Sequence, residues 1–175
     1  MLSNSRTSTN HWALKEWDVV CAAVASGRQR VLLRKGGIDE GPAGFSVQHA
    51  EFWLFPTRFH QSTDQLLPEA LPLLETLHRD HSTLDETHVP ISLFARVTQV
   101  ERVTEISELA QFEQQHILSK ETVQSRFRYR DPGLFVLHLQ VSALPASALI
   151  PNLARYAGCH SWVELDDNPL LLPPD

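Results

Sequence analysis

Three stretches of the sequence concentrate side chains that could do chemistry. At Arg34-Lys35-Gly36-Gly37 a cation pair ends an apolar run and two glycines follow. Backbone N–H groups and a side chain can both approach a phosphate or carboxylate there. The GxxxxGK[ST] spacing of a P-loop is missing, and a turn flanked by solvated charges is the plain alternative. In FWLFPTRFHQ, Thr57, Arg58, His60 and Gln61 fall just past an apolar segment that carries Trp53. A rigid strand end commonly displays the polar groups of a site. His60 is a candidate general base with Glu51 as its orienting carboxylate, and Gln61 a candidate reader of an amide or a base edge. The ordinary alternative is a structural histidine beside an aromatic cluster. In SRFRYR, Arg126, Arg128 and Arg130 alternate with Phe127 and Tyr129. If that segment is extended, the arginines share one face and can hold a phosphate backbone while Tyr129 stacks on a base. If it finishes a helix, Arg126 and Arg130 share a face near the negative end of the helix dipole. A solvated face above a buried Phe127 is the bland reading.

Other chemistries find less support. His78, His81 and His88 with Asp80, Asp85 and Glu86 are dense in ligand types, but they lie in a polar loop with no ordered scaffold in view. His49-Ala50-Glu51 matches the H-x-E of zinc deaminases, yet the P-C-x-x-C partner is absent. Neither Cys21 nor Cys159 has an evident His and Asn triad. The acidic pair and E-x-K element of restriction-type nucleases are missing. So is the Glu-rich box of Nudix hydrolases, since residues 66–80 offer only Glu69 and Glu75. No metal and no cofactor is called for.

The totals bound the object that carries these residues. At 175 residues the chain fits one domain with a sizeable core. With 42% hydrophobic and 21% charged residues it reads as globular rather than disordered. No apolar run approaches the roughly 18 residues of a membrane-spanning helix, and the polar opening MLSNSRTSTN lacks the apolar core of a signal peptide. A cytoplasmic location without membrane contact is therefore expected. Two isolated cysteines are expected to be reduced, mostly buried thiols. The net charge of -6 argues against a general DNA-coating protein. Its distribution is uneven: residues 1–62 carry seven basic and five acidic groups, 63–113 three and ten, and 114–131 four and two. Two mildly basic blocks thus flank a strongly acidic one, and they form one positive face only if folding brings them together.

Taken in order, residues 1–11 read as a disordered lead-in, 12–166 as a single α+β domain, and 167–175 as a Pro-rich tail. WALKEW is a helical or extended start. VVCAAVA (19–25) reads as a buried strand that a turn at Ser26-Gly27-Arg28 joins to RVLLR as a hairpin. AEFWLF, apolar on both faces, is a central strand that Pro56 stops. Leucines from 66 to 77 predict a helix that Pro72 kinks or forces to start late. Strands are expected at 91–104 and 134–144. Two short helices capped by Ser107 and Ser119 fall between them, a short helix with Pro151 in its first turn follows, and SWVEL is a last strand. Strands and helices mix without βαβ alternation, so an α+β fold with a mainly antiparallel sheet is expected, open or partly closed into a barrel.

LKEW (14–17), LLRKGGI (32–38), EFWLFPTxxHQ (51–61), RYRDPGLFVL (128–137) and GCHSWVEL (158–165) together resemble the bacterial domain-of-unknown-function family 1802. The resemblance spans Trp12 to Leu165 and brings no assigned activity or catalytic residue. Some relatives are associated with a restriction-endonuclease-like domain, which implies a role near DNA restriction or modification. This chain has no such domain, so a nuclease would be a separate partner. A fainter similarity of pattern is to PUA-like modules that bind modified nucleic acid.

The leading expectation is a non-enzymatic module that recognises nucleic acid or a nucleotide-like ligand. Arg34, Lys35, Arg126, Arg128 and Arg130 would take phosphate, and Trp53, Tyr129, His60 and Gln61 the base. The alternative is a small enzyme on a phosphorylated or anionic substrate with His60 as base.

Overall fold

Apolar residues on both faces of one segment decide the architecture. In the strand Glu51–Thr57, Phe52 and Leu54 point into one core while Trp53 and Phe55 point into another, so the sheet is covered on both sides. The structure is a computed structural model and describes residues 10–35, 46–81 and 86–166. Gly36 and Gly37, most of the expected lead-in and the Pro-rich tail lie outside the described residues. The elements are β1 (Trp12–Trp17), α1 (Asp18–Ala25), β2 (Val31–Arg34), β3 (Glu51–Thr57), α2 (Leu71–His81), β4 (His88–Val103), α3 (Lys120–Arg128), β5 (Leu134–Pro151) and β6 (Trp162–Glu164), with short 3-10 segments between them.

The strands form one mixed sheet in the order β2-β5-β4-β3-β1-β6. β1 and β3 run parallel, and the other neighbours are antiparallel. The fold is α+β, and among the described residues no ladder joins β2 to β6, so the sheet is not closed. Its larger core gathers α1, α2 and α3 with the 3-10 segment Ile106–Gln115 over one face. The smaller core on the other face centres on Trp53, Ile91 and Phe94.

Several local expectations give way to tertiary context. Residues 19–25 are helix, not strand: α1 buries Val19, Val20, Cys21, Ala23 and Val24. A run that is apolar all round shows no period to tell helix from strand. Gly27, at φ 73°, makes the turn into β2, so there is no hairpin. β3 continues through Pro56 to Thr57 because its pairing with β4 ends at Trp53, where no ladder donor is needed on that side. β5 runs on to Pro151 instead of ceding to a helix. Leu144 to Ser147 bulge between the pairs Leu93–Ala143 and Ile91–Ala148, and Pro145 sits in that bulge. α2 starts at Leu71, so Pro72 falls in its first turn and costs no hydrogen bond. Glu105, not Ser107, caps the segment that follows β4, whereas Ser119 caps α3 by accepting from Thr122 N at 3.2 Å.

Asn10 and His11 are bound into the sheet rather than loose. Trp53 Nε1 donates to Asn10 O at 2.9 Å, and Leu165 N to His11 O at 2.7 Å. Both cysteines are free thiols, but only Cys21 is buried; Cys159 is exposed. Among the described residues no helix is long and apolar enough to cross a membrane.

Candidate functional site

The open seam between the sheet's edges is held at one end by a buried ion pair. Arg34, the last residue of β2, donates from Nη1 to Glu16 Oε2 at 3.0 Å and to Lys15 O at 3.1 Å on β1, and from Nη2 to Ser161 Oγ at 2.6 Å beside β6. Arg34 therefore bridges strands that stand at opposite ends of the sheet order. The side chains of Arg34 and Glu16 are 15% and 5% exposed, and the second Glu16 oxygen accepts from Trp17 N at 3.0 Å. Arg126 reaches the same place from α3. Its guanidinium stacks over the Trp17 indole, 4.6 Å from the centroid, and Nη1 donates to Leu33 O at 3.2 Å. Burial lowers the pKa of Arg126, with Glu16 opposing the drop and Arg34 adding to it. One carboxylate thus acts on two guanidiniums, Arg34 by a direct pair and Arg126 through its charge.

Lys35 joins the same two segments. Its ammonium donates to Phe127 O, Asp131 O and Gly133 O, satisfying carbonyls at the C-terminal end of α3. Burial lowers its pKa, against the pull of Asp131 and with the help of Arg102, an exposed cation whose guanidinium lies over the Phe135 ring. The basic blocks that are about 90 residues apart in sequence meet here.

Two tips project from this platform. The first continues β3: Thr57 pairs with Trp17 across the parallel ladder and its Oγ1 donates to Glu16 O at 3.2 Å. Arg58, Phe59 and His60 follow, all exposed, with Phe59 at 79%. The Gln61 side chain turns inward, and its Oε1 is buried with no hydrogen-bond partner among the described residues. The second tip ends α3: Arg128, Tyr129 and Arg130 are exposed, and the Arg130 guanidinium lies 5.2 Å from the Tyr129 ring centroid.

A family model described as a domain of unknown function, DUF1802, matches residues 13–172. The chain belongs to this family. No curated protein matches it. Among solved structures, the DUF1802 chain resembles a tyrosine-to-phenylalanine mutant of the ASCH protein of Zymomonas mobilis, with a TM-score of 0.52 and 14% identity over 88% of each chain. The unsubstituted ASCH protein gives a TM-score of 0.45 at 14% identity, covering 76% of this chain and 68% of that one. A serine-to-alanine mutant gives 0.45 and 14% over 74% of this chain and 66% of the other, just under two thirds of its length. At this identity the likeness is one of fold.

The geometry sorts the residues that the sequence singled out. In the DUF1802 domain the polar groups of Arg34 and Lys35 are engaged with the protein itself, so both build the platform rather than face a ligand. Trp53 is fully buried and cannot stack on a base. Glu51 opens β3 and His60 lies past its other end, and the strand, at roughly 3.3 Å per residue, spans about 20 Å between them. Glu51 pairs instead with Arg96 at 2.6 Å, so it does not orient His60. The three arginines share no face. Arg126 turns inward from the last turn of α3, Arg128 is exposed, and the helix has ended before Arg130. Trp17, Glu16, Phe59 and Arg102 belong to the region although their sequence context did not mark them. Only the R-aromatic pattern shared by Arg58-Phe59 and Arg128-Tyr129 could have drawn attention to Phe59.

His49 is stacked on Trp12 at 4.0 Å and meets the edge of Trp162 at 5.1 Å, an aromatic packing role. Among the described residues no three His, Cys, Asp or Glu side chains are placed to hold a metal ion. A shallow recess of about 610 Å³ lies by β6. It is lined by His11, Arg155, His160 and Glu164 among others, and Arg155 there is tied to Asp166 and Tyr156.

Proposed function

We propose that this DUF1802 domain is a non-enzymatic recognition module for nucleic acid or a nucleotide-like ligand, bound across the end of the seam. The observation that carries this reading is the meeting of the two basic segments. Arg126 bonds Leu33 O and Lys35 bonds the end of α3, and the cations left outermost are Arg58, Arg128 and Arg130, with Arg102 near Lys35. Arg58 and Arg128 have no ion pair or hydrogen bond among the described residues, so phosphate oxygens can engage them without breaking a protein contact. The ASCH-like fold and the PUA-like pattern of the strands are in keeping with this role.

The test is a fluorescence-anisotropy titration with single-stranded DNA, duplex DNA and RNA at low and near-physiological salt. Expected is binding that weakens with salt and still ranks the three, and that Arg128→Glu with Arg130→Glu abolishes without unfolding the chain. No binding at low salt, or binding that survives the charge reversal, overturns the assignment. A preference for duplex DNA is what a role beside DNA restriction or modification, with a separate nuclease partner, requires; a preference for RNA excludes that branch.

A further inference from the structure

Two non-glycine residues among those described hold a left-handed backbone, His60 at φ 63° and Arg130 at φ 55°. Each directly follows an exposed aromatic ring, Phe59 at 79% and Tyr129 at 48% exposure, and each ring directly follows an arginine. Arg58-Phe59-His60 and Arg128-Tyr129-Arg130 therefore repeat one sequence of features, cation, ring and left-handed residue, in unrelated settings. One extends a strand, the other ends a helix.

Both features work against stability. A residue with a Cβ is disfavoured in the left-handed region, and a large ring in water forgoes the gain of burial. Val100, Ile106 and Leu149 are also exposed, but none of them precedes a left-handed residue. The coincidence is confined to the two rings. Backbone strain of this kind collects where a chain clamps a ligand. Here each left-handed residue lies in the turn just past its element, His60 three residues beyond β3 and Arg130 two beyond α3, directly after the exposed ring.

The two tips flank one platform. Phe59 stands two residues beyond Thr57, which bonds Glu16 O, and Tyr129 stands three residues beyond Arg126, which covers the neighbouring Trp17. Arg130 lies against the Tyr129 ring, and His60 is tilted 48° to Phe59 with the centroids 6.4 Å apart.

We propose that Phe59 and Tyr129 are stacking platforms for two unpaired bases of a single nucleic-acid strand, whose intervening phosphates meet Arg58, Arg128 and Arg130. The assignment rests on the nucleic-acid reading above and narrows it to single strands. Bases within a duplex are already stacked on one another and have no open face to offer, whereas an unpaired base of any identity can stack. The binding is then tolerant of sequence, and salt acts on it through the arginines while the rings contribute a part that salt does not screen.

The experiment titrates fluorescein-labelled oligothymidylate and oligouridylate of about a dozen nucleotides, and a duplex of equal length, into the full chain and into Phe59→Ala and Tyr129→Ala. Each alanine variant is expected to weaken single-strand binding roughly 5- to 100-fold, with the slope against salt unchanged and duplex binding unaffected. Tyr129→Phe should bind as the wild type does, and melting temperatures should not move, because both rings are exposed. Wild-type binding of single strands that both alanine variants retain within about twofold overturns the stacking role alone. Absence of any nucleic-acid binding by the wild type overturns the broader reading and this one with it.

Discussion

Replacing Glu16 with glutamine keeps the shape of the side chain and one acceptor oxygen but removes the charge that acts on Arg34 and Arg126. The carboxylate takes Arg34 Nη1 at 3.0 Å and Trp17 N at 3.0 Å, at 5% exposure. Removing one member of a buried pair costs about 3–5 kcal/mol, and a hydrogen bond to a charged group contributes about 1.5–3 kcal/mol. Arg34 keeps Lys15 O and Ser161 Oγ and glutamine keeps an acceptor, so the loss falls below the first range and in the upper part of the second, about 2–3 kcal/mol. For a domain of this size each kcal/mol moves the melting temperature by about 2–4 °C, which gives a drop of about 4–12 °C. The pair is shielded from solvent, so high salt should leave the drop in place. A double-mutant cycle in urea with Arg34→Met should show a coupling of about 2 kcal/mol, because Arg34→Met removes far less once Glu16 is gone. A Glu16→Gln cost under about 0.5 kcal/mol, or additive single effects, would refute the idea that this pair fastens the seam.

Three further outcomes follow from burial and charge. Trp53→Ala should cost about 3–5 kcal/mol in urea denaturation while Phe59→Ala stays within about 0.5 kcal/mol; comparable values would contradict the placement of one ring inside and the other outside. Glu51→Ala breaks an exposed pair with Arg96 and should cost less than about 1 kcal/mol, with little effect left at high salt. Burial lowers the pKa of His116, with Arg126 adding to the drop and Glu113 opposing it, and burial lowers that of His49 against Glu164. Below about pH 6.5 the unfolded chain then binds more protons than the folded one, so urea midpoints should fall between roughly pH 7 and pH 5. His116→Asn should flatten that slope, and a midpoint that rises on acidification would contradict the burial.

What could be read from the sequence was what depends on neighbours in the chain. Alternation in Phe52 to Phe55 foretold a strand with two buried faces, Ser119 foretold the start of α3, and Pro72 foretold the late start of α2. Residues 18–25 are helical for a reason no local pattern carries: their apolar surface is buried on nearly every side, by α2 and the sheet. Pro145 and Pro56 looked like stops, and only the pairing partners show Pro145 in a bulge of β5 and Pro56 past the last pair of β3 with β4. The candidate site divided in the same way. The types Arg, Lys and Tyr in two basic blocks were visible, but which arginines turn inward depends on Glu16, Trp17 and Leu33, contributed by other strands. Trp53 and Phe59 are six residues apart and equally aromatic in sequence, and only the pairing of β3 with β1 and β4 puts one in the core and the other in solvent.

The most direct measurement of recognition at the seam is a nitrogen-15 amide titration of the full chain with oligothymidylate. Ligand held by the two tips should shift the amides of residues 57–61 and 126–131 together with the Trp17 indole, and leave α2 and the recess by β6 unmoved. Shifts confined to that recess or to the acidic α2, with the two tips silent, would place the ligand elsewhere and contradict the assignment.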